Sequence, residues 1–168
     1  MSGSLNDILP EPISEANEDV IMDLLKRKMT VSIDIAVQLL QAMEARFGPE
    51  AREVVRKMSG SQEFEQNPEE GNPRSDLQEF CKMIGHAAAG SHRWNRVIDE
   101  PDCVGYHFTR CLYAEAFREL GEPDLGMVMC SRDGPWVKSY NSKLAFRRTK
   151  TLMEGDEVCD HVFYVEKA

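Results

Sequence analysis

No uninterrupted apolar run in the 168 residues approaches the roughly 20 needed to cross a bilayer. A membrane partner is therefore not expected. The first twenty residues contain no Lys or Arg, so the basic start and apolar middle of a secretory signal are both missing. The chain also lacks any CxxC pair: Cys81, Cys103, Cys111, Cys130 and Cys159 are odd in number and widely spaced, the usage of reduced thiols in a cytoplasm. Base is scarce too. With 20 Lys+Arg against 29 Asp+Glu and a net charge of −9, there is no broad cationic face to neutralise phosphates, and nucleic acid is not an expected partner. GxGxxG, GxxxxGKS/T, HExxH and GxSxG are all absent, which removes dinucleotide, P-loop, zincin and serine-hydrolase readings.

What is present describes one globular domain with 42% hydrophobic residues. The acidic excess sits in two stretches without a base, residues 1–20 and 61–72. Residues 1–16, broken by Pro10 and Pro12, read as a mobile acidic arm. A single α+β domain follows over 17–168, with a helical part at 17–92 and a sheet and site part at 93–168. Val20, Ile21, Leu24, Leu25 and Met29 keep a helical period, and a second set from Ile35 to Phe47 does the same. Gly48-Pro49 closes that helix and opens a short one ending at Ser59-Gly60. Residues 61–74 read as a loop, and Ser75 to Gln78 as a capping box opening the next helix. Asn95–Ile98 and Cys103–Thr109 flank a turn and predict an antiparallel hairpin. Helices over 111–120 and from Pro123 follow, Asp133-Gly134-Pro135 reads as a break, and Leu144–Leu152 with Val158–Glu166 predict a second hairpin. The expected architecture is thus N-terminal helices, then a hairpin-helix-helix-hairpin unit whose four strands form one antiparallel sheet.

Alternation along the last strand puts Cys159, His161 and Phe163 on one face and Asp160 on the other. A thiol and an imidazole two apart can meet one ligand: His161 can polarise Cys159, act as a base, or help bind zinc. The plainer alternative is a core cysteine beside a histidine bonded to a carbonyl. Cys130 with Asp133, and Cys111 with Glu115, place a thiol and a carboxylate on one helical face, although an acid near a buried thiol is common. Arg147 and Arg148 point to opposite sides of a strand, so only one can clamp a substrate carboxylate; the other guards a strand edge. His86 and His92 read as surface or packing residues, and His107 as a second-rank candidate. No cofactor is required by this pattern, and no closely spaced ligand set marks a metal site, which leaves zinc a minor alternative.

The blocks from Cys111 to Phe117, Leu120 to Leu125, Cys130-Ser131-Arg132-Asp133, Asn141, Arg147 to Leu152 and Glu154 to His161, in this order and spacing, resemble the L-2-amino-thiazoline-4-carboxylic acid hydrolase family. The closing Gly155-Asp156-x-x-Cys159 is also similar to ligand-binding domains of the 4-vinyl reductase type. The first resemblance implies opening of a thiazoline ring by water to give N-carbamoyl-L-cysteine, in a cytoplasmic enzyme of small-molecule metabolism. It implies Asp133, His161, Cys130 and Cys159 as catalytic residues. Cys111, Glu115, Arg147 and Asp160 would bind substrate, Glu115 at its amino group and Arg147 at its carboxylate. The second resemblance implies a noncatalytic sensor of a small molecule or metal. Either leaves room for a homo-oligomer.

Overall fold

A computed structural model of the chain describes residues 2–60, 64–67 and 69–167. The first helix, α1 (Glu15–Phe47), runs 33 residues without interruption, capped by the Ser14 hydroxyl and stopped at Gly48, whose φ of 86° only glycine adopts freely. Two separate helical sets were expected there. The stretch Thr30-Val31-Ser32-Ile33, with three β-branched residues and a serine, lowers helix propensity but contains no breaker, so the backbone ladder continues through it. The helix α2 (Glu50–Gly60) follows the proline as expected. The helix α3 (Pro73–Ala88) begins earlier than the anticipated capping box: Asn72 caps it by accepting from the Arg74 amide at 3.0 Å, and Ser75 donates back to the Asn72 carbonyl. Part of the loop expected over 61–74 lies outside the described residues; Asn67 within it is tied to Ser139 and Tyr140.

The sheet is antiparallel throughout and has five strands in the order β1-β2-β3-β5-β4. Strands β2 (His92–Glu100) and β3 (Cys103–Cys111) form the expected hairpin. Between them and β4 (Leu144–Arg147) lie three helices, α4 (Leu112–Glu119), α5 (Pro123–Cys130) and α6 (Asp133–Tyr140). Strand β5 (Cys159–Val165) is inserted between β3 and β4 and pairs with both. The fifth strand is β1 (Ser2–Gly3), paired with Asn95 and Trp94 at the edge of β2. Within the segment expected as a mobile acidic arm, Ser2-Gly3 pair with β2, and Leu5, Leu9 and Ile13 pack against α1 and α4. A Cβ on Gly3 would fall 2.0 Å from the Trp94 ring, so only glycine lets the backbone lie on the indole, while Leu5 packs with Met22 and Leu112.

Strand β3 shows the alternation that orients the sheet. Val104, Tyr106 and Phe108 are buried, whereas His107 and Thr109 are exposed. The covered face carries Phe80, Leu77 and Ile84 of α3 and Val137 of α6. Phe80 stands at its centre, with ring centroids 5.2 Å from Trp136 and 5.6 Å from Phe163. Burying each such side chain stabilises the fold by about 1.5–3 kcal/mol. Among the described residues no helix is long and apolar enough to cross a membrane.

The second predicted hairpin is only partly formed. Residues 148–158 are a looped excursion, because two carboxylates capture backbone amides that a strand ladder would use. Asp160 accepts from the amides of Thr149 and Lys150 and from the Thr149 hydroxyl, and Asp156 accepts from the Thr151 amide at 2.7 Å. The Cys159 sulfur takes the Leu152 amide at 3.2 Å, fixing the loop onto the start of β5.

Candidate active site

A cavity of about 150 Å³ opens where the loop 148–158, the α5–α6 corner and the covered face of the sheet meet. Its walls include Cys111, Cys130, Asp133, Arg148, Cys159 and His161. Each arrives by a simple local rule. Cys111 ends β3 and caps α4, its sulfur accepting the Ala114 amide at 3.4 Å. Cys130 is the last residue of α5 and Asp133 the first of α6, so the sharp turn at Ser131-Arg132 brings thiol and carboxyl to one wall. Asp133-Gly134-Pro135, expected as a break, is the first turn of α6, where a proline and an acid are both at home. Cys159 and His161 share the inward face of β5, opposite Phe108 and Tyr106 in the β3 register.

The charged groups form a compact set. Arg148 Nη1 donates to Asp133 Oδ2 at 3.2 Å and to the Cys130 carbonyl at 3.3 Å, and its guanidinium lies 5.8 Å from the Phe146 ring centre. Among the described residues its other N–H groups make no hydrogen bond, so they are free to meet a ligand anion. His161 Nε2 stands 4.0 Å from Asp133 Oδ2, too long for a hydrogen bond yet close enough for one ligand atom to touch both. That nitrogen is buried and has no partner among the described residues. Aromatic rings hold the imidazole in place, Phe108 at 4.7 Å and Phe146 edge-on at 5.1 Å.

Burial sets the protonation states. Desolvation raises the Asp133 carboxyl to about 6, with Arg148 and Arg132 pulling the other way. Its side chain is 27% exposed, so it can still exchange a proton with water. Desolvation, reinforced by the Arg148 charge, pushes His161 down to about 3, and desolvation pushes His92 down to about 4. Both imidazoles are neutral at pH 7. Burial pushes the Cys130 thiol up to about 11 and the Cys111 thiol to about 12. These two cysteines are neutral thiols at pH 7, with little of the thiolate that a resting nucleophile would present. Among the described residues, no group of three or more His, Cys, Asp or Glu is placed to hold a metal ion.

Of the eight residues singled out from the sequence, the cavity brings together Cys111, Cys130, Asp133, Cys159 and His161. Three lie elsewhere. Glu115 pairs with Arg110 at 2.7 Å and lines a separate surface depression with Lys26 and Arg118. Arg147 is exposed on the opposite side of the sheet, beside Cys103 and Tyr164. Asp160 is the latch of the 148–158 loop, held at about 2 because, against burial, the Thr149 hydroxyl and the Lys150 and Thr149 amides all favour its charged form. The cavity's cation is Arg148. Opposite orientation of the arginine pair was legible; which one faces inward follows from Phe146 packing against Phe163, one step from Arg147. His92, read as surface or packing, also lines the cavity, with its ring 5.4 Å from Phe108 and its Nδ1 2.8 Å from the Ser91 hydroxyl. Met129 and Met153 complete a wall in which five side chains carry sulfur. Met153 fits because residue 126 is glycine: a Cβ there would lie 2.3 Å from its sulfur.

No curated protein matches the chain. Among solved structures, the phenol-responsive sensory domain of the transcription activator PoxR, crystallised with phenol, aligns over 76% of this chain and 71% of that one, at 12% identity and a TM-score of 0.39. The sequence model of L-2-amino-thiazoline-4-carboxylic acid hydrolase matches residues 27–163, which span every wall of the cavity. On that match the chain belongs to the L-2-amino-thiazoline-4-carboxylic acid hydrolase family.

Proposed function

We propose that the protein is a hydrolase that opens a small cyclic amidine carboxylate, with L-2-amino-thiazoline-4-carboxylate as the first substrate to test. The reading rests on family membership and on one observation: Asp133, Arg148 and the partnerless His161 Nε2 converge on one ring-sized cavity. A space of about 150 Å³ accommodates a benzene-sized ring. In this reading the free guanidinium N–H groups of Arg148 bind the substrate carboxylate, and the sulfur-rich wall packs against the ring.

Asp133, with its carboxyl near 6, is a carboxylate at pH 7 and sits well for a general base. It takes a proton from water as the water oxygen bonds to the carbon between sulfur and nitrogen. The carbon–sulfur bond then breaks, the departing sulfur takes that proton back from Asp133, and the remaining hydroxyl proton moves to the former ring nitrogen as the oxygen becomes the carbamoyl carbonyl. One water is consumed, and the product carries a carbamoyl group and a free thiol. His161 is neutral, and its Nε2 orients the attacking water through a hydrogen bond. Cys111, Cys130 and Cys159 shape the wall.

The test is incubation with L-2-amino-thiazoline-4-carboxylate while free thiol is followed, for the parent chain and for Asp133→Asn. Thiol release that disappears in the variant, with its circular dichroism unchanged, supports the reading. Saturable binding without release from the parent chain would instead point to a ligand-binding domain, the sensor alternative implied by the sequence.

A further inference from the structure

The proposed reaction leaves one of the cavity's two imidazoles idle: His92, the first residue of β2. Arg148 takes the substrate carboxylate, and Asp133 and His161 handle the water. Glu115, expected to meet the amino group of the ring, lines a different depression. That amino group offers N–H donors, and a donor taken out of water without an acceptor weakens binding.

The neighbours of His92 fix which ring nitrogen carries the proton. Ser91 Oγ lies 2.8 Å from His92 Nδ1 and donates to the Ala88 carbonyl at 3.4 Å. A hydroxyl has one proton to give, and a carbonyl can only accept. With its proton on Ala88, the serine oxygen meets Nδ1 as an acceptor, so Nδ1 carries the hydrogen and Nε2 bears the lone pair. The second nitrogen, Nε2, makes no hydrogen bond among the described residues. Burial holds the imidazole down at about 4, so the lone pair persists at neutral pH. Phe108, edge-on at 5.4 Å, and Tyr113 at 6.1 Å fix the ring plane.

Sheet order supplies the direction. The strands run β2-β3-β5-β4, His92 opens β2 and Arg148 follows β4, with Phe108 of β3 and His161 of β5 between them. Three strand spacings of about 4.8 Å put the two backbones roughly 14 Å apart. The imidazole and the guanidinium therefore enter the cavity from opposite ends. In L-2-amino-thiazoline-4-carboxylate the amino group and the carboxylate stand on the two carbons that flank the ring nitrogen, and they point away from each other.

We infer that His92 Nε2 accepts an N–H from the substrate's amino group while Arg148 holds the carboxylate, so that the site selects 2-amino cyclic amidines over rings with an alkyl group at that carbon. The inference rests on the function proposed above.

Calorimetric titration in an Asp133→Asn background, where turnover does not consume the ligand, compares L-2-amino-thiazoline-4-carboxylate with its 2-methyl counterpart, a ring of the same shape without the N–H. The amino ring should bind about tenfold or more tightly. Adding His92→Leu, with circular dichroism unchanged, should bring the two rings within twofold by weakening the amino ring alone. Equal losses for both rings, or a preference that survives His92→Leu, would overturn the acceptor role. Nitrogen-15 NMR of the parent chain needs no substitution. His92 should show a protonated Nδ1 and a bare Nε2 whose resonance moves when the amino ring binds, and a proton on Nε2 would overturn the inference. Thiol release keeps the two claims apart. If the parent chain opens the amino ring but the ring preference ignores His92, the acceptor role alone falls; if the parent chain neither binds nor opens that ring, the function proposed for the cavity falls with it.

Discussion

The two ends of the chain solve opposite problems. Residues 92–167 draw polar groups inward, so that a carboxyl, a guanidinium, two imidazoles and three thiols surround one cavity. The helices α1 and α2 push apolar groups outward and keep their charges in surface ion pairs such as Arg52 with Glu44 and Glu122. Polar groups in a dry site have perturbed chemistry; apolar groups in water have an unfilled contact. The first arrangement is the one the proposed function uses; the second leaves a stripe of apolar surface in water.

The largest effect should come from the inward-facing set. Asp133→Asn keeps the size and hydrogen bonding of the side chain but removes its base, and turnover should fall by about 10²–10⁴-fold. Steady-state kinetics check this, and a variant retaining full kcat would remove Asp133 from proton transfer. The parent rate should rise with pH around the Asp133 value of about 6, because only the ionised carboxylate accepts a proton.

Core and stripe are separated next by their burial. Phe163→Ala, at the centre of the aromatic cluster, should cost about 3–5 kcal/mol of unfolding free energy at any protein concentration. Leu39→Ala, at a side chain 62% exposed, should instead cost no more than about 0.5 kcal/mol. Urea melts read both, and a loss at Leu39 as large as that at Phe163 would mean that the stripe packs within its own chain.

The arginine pair gives a finer contrast. Arg148→Lys should raise KM by about tenfold or more through loss of planar, two-point recognition, while Arg147→Lys should leave kcat and KM within twofold. Equal effects would return the anion site to Arg147.

The smallest effect is in pH-dependent stability. His161 and His92 have folded values near 3 and 4 against an ordinary 6.5, so unfolding takes up protons below that value. Their stabilisation is complete above pH 6.5 and declines as pH falls toward 4, with a slope of about 1.4 kcal/mol per pH unit for each proton taken up. Asp133 acts in the opposite sense: its raised value costs stability as pH rises from about 4 to 6. His161→Gln should flatten the acid limb of the melting-temperature profile, and an unchanged limb would show that His161 is already protonated in the folded chain.

Where the chain's periodicity is local, the structure follows it. The alternation of β5 placed Cys159, His161 and Phe163 together, and Gly48-Pro49 marked the α1–α2 corner. What periodicity missed was decided at long range. Two polar residues at Ser2-Gly3 become a strand only because Trp94 offers an edge and an indole face. The alternating pattern after Arg148 reads as strand, but Asp156 and Asp160 take its amides first. His92 had no signal of its own, since its burial is created by Phe108, Tyr113 and the α5–α6 corner around it.

The latch at Asp160 has a final implication for how the cavity behaves across pH. Its carboxylate, held at about 2, keeps its charge over the whole interval in which Asp133 changes state near 6. The rim of the cavity is thereby decoupled from the proton inventory of its interior. If Asp133 is the base as proposed, protonating it leaves the loop 148–158 folded, so any loss of activity in mild acid should reverse at once on neutralisation, with no refolding lag.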